Sequence, residues 1–138
     1  MSRLVAAMAI EPTPAMALPT VIRDNPYIHF CRNADGRIDA VLQRREGDAM
    51  PLTGEGDIGL FALDGSTYLE ALVSWADAVP RGASTGERNF LPFIPWLARR
   101  GSVMTIPASD PMEAVGINTP AELELVANFL RHQAPDNP

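Results

Sequence analysis

The dipeptide Asp35-Gly36 stands between two runs rich in β-branched and aromatic residues, and little else in the chain constrains its folding as tightly. In "YIHFCRNADGRIDAVLQRR" this pair suits a tight turn with positive backbone angles. Tyr27 to Arg32 and Ile38 to Arg44 are therefore expected to pair as an antiparallel hairpin. His29 and Cys31 fall two apart on one strand face and are read as packing residues.

Around this hairpin the apolar pattern alternates between strand and helix. Leu4 to Ile10 is a continuous apolar run, expected to be a strand covered on both faces, and a proline-rich connector follows from Glu11 to Pro26. Residues 45–57 read as a polar, glycine-bearing loop and Ile58 to Leu63 as a second buried strand. "DGSTYLEALVSWADAV" is an amphipathic helix with Leu69, Leu72, Val73 and Ala76 on one side and Asp64 or Ser66 as its cap. A second loop precedes "FLPFIPWLARRG", a short helix closed by Gly101, and Val103 to Ile106 is another strand. After the loop "SDPMEAVGIN" comes a helix with Thr119 as N-cap, Pro120 at the first position and Glu122 completing a capping box. Its apolar face is Leu123, Val126, Ala127 and Leu130. The expectation is one α/β domain spanning residues 1–138, with a mixed, mainly parallel sheet flanked by helices and a hairpin attached.

Composition excludes several kinds of function. A net charge of −6 is wrong for a nucleic-acid or anionic-membrane surface, both of which need clustered positive charge. All 11 basic residues are arginine, so no Schiff-base or phosphate-loop lysine exists in this sequence. Cys31 is the only cysteine, and His29 and His132 are too far apart to suggest a metal pair. No apolar run reaches membrane-spanning length, and a cytoplasmic location is the default expectation.

Four blocks, taken in order, resemble the sugar-phosphate nucleotidyltransferases of the GT-A-like, Rossmann-related fold, and are similar above all to the uridylyltransferase domain that makes UDP-N-acetylglucosamine. They are "NADGRIDAVLQRRE", "GEGDIGLFAL", "TGERNFLPFIPWLARRG" and "EAVGINTPAELELVANFL". The likeness runs from about Leu4 to Leu130 and is most specific in the last block. It implies transfer of a nucleotidyl group from a nucleoside triphosphate to a sugar 1-phosphate with Mg²⁺.

Carried over residue by residue, the resemblance makes Asn118 the Mg²⁺ ligand, a role that suits a hard amide oxygen. Gln43, Asp57 and Gly59 fall at sugar-binding positions, and Glu87, also expected on the substrate side, matches the glutamate of the third block, whose family role is partly structural. The match is imperfect. Gln43 replaces a glutamate, Asp57 replaces an asparagine, and Leu91 and Pro92 stand where the family has Thr-Asp. Each residue also has an ordinary reading. Asn118 can shape the turn before Thr119, Asp57 and Glu55 can be solubilising loop charges, and Gln43 can simply end a strand. Phe93 and Trp96 read as core rather than as a stacking platform, and Arg44 and Arg45 as part of a solvated cluster with Glu46 and Asp48.

The family's glycine-rich phosphate loop, its lysine and its early acidic metal ligand have no counterpart in the sequence. The chain is therefore expected to behave as the sugar-binding half of such an enzyme, inactive by itself. The alternative is a non-catalytic module that binds a sugar phosphate or sugar nucleotide, or that self-associates through the exposed edge of a Leu4 to Ile10 strand.

Overall fold

The structure, a computed structural model, describes residues 2–117 and 119–133. Its organising element is β1 (Met16–Asp24), a strand with three sheet partners. β4 (Thr53–Asp57) and β5 (Ala62–Leu63) run antiparallel to it, and β6 (Val103–Pro107) runs parallel. β2 (Ile28–Arg32) and β3 (Ile38–Gln43) form a separate two-stranded sheet. Among the described residues the α-helices are α1 (Ser2–Met8), α2 (Leu72–Ala78), α3 (Phe93–Ala98) and α4 (Pro120–Gln133). The class is mixed α/β, as expected. The sheet is mixed, but among the described residues its only parallel pairing is β1 with β6, so the expected mainly parallel arrangement is not found there.

β1 is buried from both sides, and its alternation explains the layering. Met16 and Leu18 point into the larger core with Phe30 and Ile38 of the hairpin, Trp75 of α2, and Phe93, Ile94 and Leu97 of α3. Ala17 faces the other way and packs on Leu4 and Ala7 of α1. The expected strand from Leu4 to Ile10 is thus a helix. Leu4 and Ala7 are buried three residues apart while Val5 between them is 65 % exposed, a helical rather than a strand pattern. The edge that was to drive self-association is therefore absent at this position, and the strand lies in what reads as the proline-rich connector.

Pro19 sits inside this central strand, where the missing N–H would ordinarily break a ladder. β4 and β5 lie along the same stretch of chain but do not continue one register. Thr20 faces Asp57 and Ala17 faces Ala62, so five steps of the partner cover three of β1. The excess forms a bulge over residues 58–61, with Gly59 at φ +79°. Pro19 falls opposite that break, where neither β4 nor β5 pairs with it. The expected strand Ile58 to Leu63 is accordingly reduced to Ala62–Leu63, and part of the expected loop before it is β4.

The hairpin forms as predicted, from Ile28–Arg32 and Ile38–Gln43, with a register shift between Cys31 and Arg32. Of the turn dipeptide, Gly36 alone takes a positive φ (+77°). The Asn33 side chain accepts hydrogen bonds from the backbone N–H groups of Asp35 and Arg37, both at 3.0 Å, and closes the turn. The hairpin docks on β4 through its glycines. A Cβ at Gly56 would lie 2.8 Å from the Ile28 carbonyl oxygen, and one at Gly54 would lie 2.5 Å from His29 Nδ1. The repeated glycine of "TGEGD" is what lets two backbones come this close. Arg32 then ties the hairpin to the sheet with a two-pronged contact to Glu55 (2.7 and 2.8 Å) and a third bond to the Thr105 hydroxyl at 3.0 Å.

Candidate functional site

The last residue of β3 opens the site. Gln43 is only 6 % exposed and its backbone N–H donates to the Asp48 carboxylate at 2.7 Å. Its side-chain oxygen accepts a hydrogen bond from the Asn89 amide. Asn89 in turn receives the Leu91 N–H at 3.0 Å. Gln43 thus joins the end of the hairpin to the loop that leads into α3.

A short 3₁₀ turn, Arg44–Glu46, follows Gln43 and swings Glu46 towards the same loop. The Glu46 carboxylate accepts the Thr85 hydroxyl and the Ser84 N–H (2.9 Å), while its backbone oxygen accepts the Ser84 hydroxyl at 3.0 Å. These donors, the Thr85 hydroxyl first, hold the Glu46 carboxyl below the usual carboxylate range. A Cβ at Gly82 would come within 2.4 Å of the Glu46 carboxylate, so a larger residue there would displace that side chain from this position.

Between these supports lies an open cavity of about 290 Å³. Gln43, Arg45, Glu46, Thr85, Glu87, Arg88 and Asn89 supply its polar lining, and Tyr27, Ile28, Phe90 and Leu91 its apolar wall. Arg45 and Glu87 face each other across exposed positions at 3.7 Å, and Arg88 reaches back to the Ala76 carbonyl at 2.9 Å. Two amides, two guanidinium groups and two carboxylates beside a small apolar wall suit a hydroxyl-rich small molecule.

The structure therefore brings Gln43 and Glu87 together and leaves the other expected sugar residues elsewhere. Asp57 lines a separate cleft of about 60 Å³, which shares the Tyr27 and Ile28 wall. Its carboxylate accepts the Gly59 N–H at 2.8 Å, so both residues shape the bulge between β4 and β5. Asn118 lies outside the described residues. The segment before it is anchored firmly: Arg23 of β1 donates to the Ala114 carbonyl, and Asp110 and Glu113 cap a 3₁₀ turn, Pro111–Ala114, reciprocally. Among the described residues no group of three or more His, Cys, Asp or Glu side chains could hold a metal ion. No carboxylate set for Mg²⁺ is therefore found there.

Residues 44–48 are half-buried to exposed, in keeping with a solvated cluster, but several of them are also tied down by specific contacts. Arg44 donates to the Asn25 side chain at 2.6 Å and lies over the Tyr27 ring, while Glu46 and Asp48 hold backbone groups. Phe93 is fully buried and Trp96 stacks on it at 5.7 Å, in keeping with their reading as core. Asn89 and Thr85 were not singled out from the sequence. Their proximity to Glu87 was the available signal, but their partners lie about forty residues upstream.

No protein-family model matches the chain. Among the described residues, no helix is long and apolar enough to cross a membrane.

Proposed function

We propose that this chain forms the sugar-binding side of a sugar-phosphate nucleotidyltransferase, with the Gln43–Glu87 cavity as its sugar-phosphate pocket. One observation carries the reading. Gln43, at a sugar-binding position of the resemblance, and Glu87, from its third block, come from distant parts of the sequence and line one cavity. The Gln43 amide, already oriented by Asn89, keeps its N–H donors for a sugar hydroxyl, and Glu87 can accept one. Arg45 and Arg88 are the cations available to a phosphate.

In the reaction proposed for the whole enzyme, a sugar-phosphate oxygen attacks the α-phosphorus of a nucleoside triphosphate and pyrophosphate leaves. Mg²⁺ would neutralise charge on the reacting phosphates, and Asn118 is the ligand this chain would offer it. The sequence contains no glycine-rich phosphate loop, so this chain contributes binding and orientation rather than turnover.

Titration of labelled protein with sugar 1-phosphates and sugar nucleotides tests the reading. Amide shifts are expected at Gln43, Arg45, Thr85 and Glu87, and Gln43→Ala should weaken binding about tenfold. A Mn²⁺ probe should broaden Ile117 and Thr119, and Asn118→Ala should remove that broadening. If no sugar phosphate moves the cavity amides at millimolar concentration, the pocket assignment fails.

A second reading, self-association, rests on α4. Leu123 and Leu130 of its apolar stripe are 54 % and 58 % exposed, so the described chain leaves much of that face uncovered. Sedimentation of Leu123→Glu against the native chain checks it, and a concentration-independent monomer in both would dismiss it.

A further inference from the structure

A second cavity, of about 340 Å³, lies where the hairpin turn meets the end of α3 and the start of β6. Its ionisable lining is three arginines, Arg37, Arg99 and Arg100, and no carboxylate lines it. That is unusual in a chain of net charge −6 with only 11 basic residues. Like charges brought together from two separate segments repel one another unless an anion offsets them.

The three groups are not equally engaged. The Arg100 guanidinium carbon lies over the Trp96 ring, 4.1 Å from its centroid, and the group donates to the Trp96 carbonyl at 3.1 Å, which restrains it. Arg99 donates to the Asp39 backbone oxygen at 2.7 Å and to its carboxylate at 3.3 Å. Both side chains of that pair are more than half exposed. Arg37 forms no ion pair among the described residues. Asp39, which lies outside the cavity lining, thus pairs with one of the three cations. Gly101 and Ser102 bring main chain to the same wall.

We propose that this cavity binds a small, multiply charged phosphate, a diphosphate or the polyphosphate end of a nucleotide. Guanidinium groups present paired N–H donors that match phosphate oxygens two at a time, and one restrained over an aromatic ring loses less freedom in doing so. The site is distinct from the Gln43–Glu87 cavity, with which it shares no lining residue, and the proposal does not depend on the sugar-pocket reading.

The test is titration of ¹⁵N-labelled protein with sodium pyrophosphate, and separately with ATP, at constant ionic strength. Pyrophosphate should shift the amides of Arg37, Gly101 and Ser102 in a saturable way. With ATP, further shifts at the rim indicate a nucleotide site, whereas the same shifts alone indicate a phosphate site. Both support the proposal. The double variant Arg37→Gln/Arg99→Gln spares the stacked Arg100 and should weaken pyrophosphate binding by about tenfold or more. Asp39→Asn should tighten it by freeing Arg99, an effect that a merely structural Arg99–Asp39 pair would not produce. Unchanged circular dichroism and urea midpoint establish that the variants are folded. Shifts reproduced by sodium chloride alone would overturn the proposal. So would native affinity in the double variant, or pyrophosphate shifts confined to Arg45, Thr85 and Glu87.

Discussion

Replacing Gly56 with alanine adds one methyl group at the place where the hairpin sits closest to the sheet. The new Cβ would stand 2.8 Å from the Ile28 carbonyl oxygen, while ordinary contact begins near 3.4 Å. β2 and β4 must separate by about 0.6 Å or the bonds on either side must distort. Neither partner yields easily, since Ile28 is paired with Gln43 in the hairpin and Gly56 with Val21 in the sheet. Overpacking of this kind costs about 1–3 kcal/mol, and the loss of unfolded-state freedom at a glycine offsets about 0.4–1 kcal/mol. The net destabilisation is roughly 1–2 kcal/mol. With a urea slope of about 1–3 kcal/mol per molar, the unfolding midpoint should fall by roughly 1 M. Gly65→Ala is the matched comparison. Nothing lies within 4 Å of its Cβ position, so the entropic gain should stand alone and raise stability by about 0.4–1 kcal/mol. Urea unfolding followed by fluorescence reads both variants. If Gly56→Ala is as stable as Gly65→Ala, the close approach of hairpin and sheet is wrong.

Two further perturbations test the capping and ion-pair arguments. Asp64 accepts the Ser66 N–H at 2.8 Å, the Thr67 N–H at 3.1 Å and both hydroxyls, so Asp64→Ala should cost about 1 kcal/mol of stability by thermal unfolding. Those bonds, the Thr67 hydroxyl first, lower its carboxyl to about 2. The contribution is therefore complete above the ordinary value of 3.8 and is lost as pH falls towards 2; a variant deficit equal at pH 6 and pH 2 would contradict this. Glu55 is likewise held below the usual carboxylate range, chiefly by its bond from Arg32. The stability gap between native protein and Glu55→Gln should be full above pH 4.5 and close as pH drops further, and a gap that does not narrow in urea unfolding at pH 3 would refute it.

Elements whose signals are local were legible in the sequence. The hairpin carried its turn in Asn33 to Gly36, and α4 its capping box, with the Glu122 N–H on the Thr119 hydroxyl at 3.3 Å. The helical stretch that runs from residue 65 through a π-helical turn, Thr67–Ala71, into α2 carried its cap in Asp64. What misled were signals whose meaning depends on a distant neighbour. A seven-residue apolar run with alanines satisfies helix and strand alike, and only the pairing of Ala17 with Leu4 and Ala7 decides for α1. The prolines at 14 and 19 read as a connector because the bulge that tolerates Pro19 comes about forty residues later. "TGEGD" read as a loop because its glycines serve a hairpin that approaches from outside the strand. The candidate pocket follows the same rule. Gln43 and Glu87 were identifiable one at a time, while Asn89 and Thr85 gain their roles only through Gln43 and Glu46.

The central position of β1 also sets the order in which the chain can assemble. The hairpin needs only neighbouring residues, but β1 completes its ladder by pairing Met16 with Val103 and Thr20 with Pro107, across most of the polypeptide. Closing so long a loop costs entropy before any contact offsets it, so this parallel pairing is expected to form late in folding. During synthesis, β1 emerges early and waits with one side unpaired, carrying Met16, Ala17 and Leu18 that the finished protein buries completely. The time this sticky edge stays open depends on how quickly β6 arrives. Substitutions in Val103 to Ile106 therefore bear on soluble yield out of proportion to their effect on the finished fold.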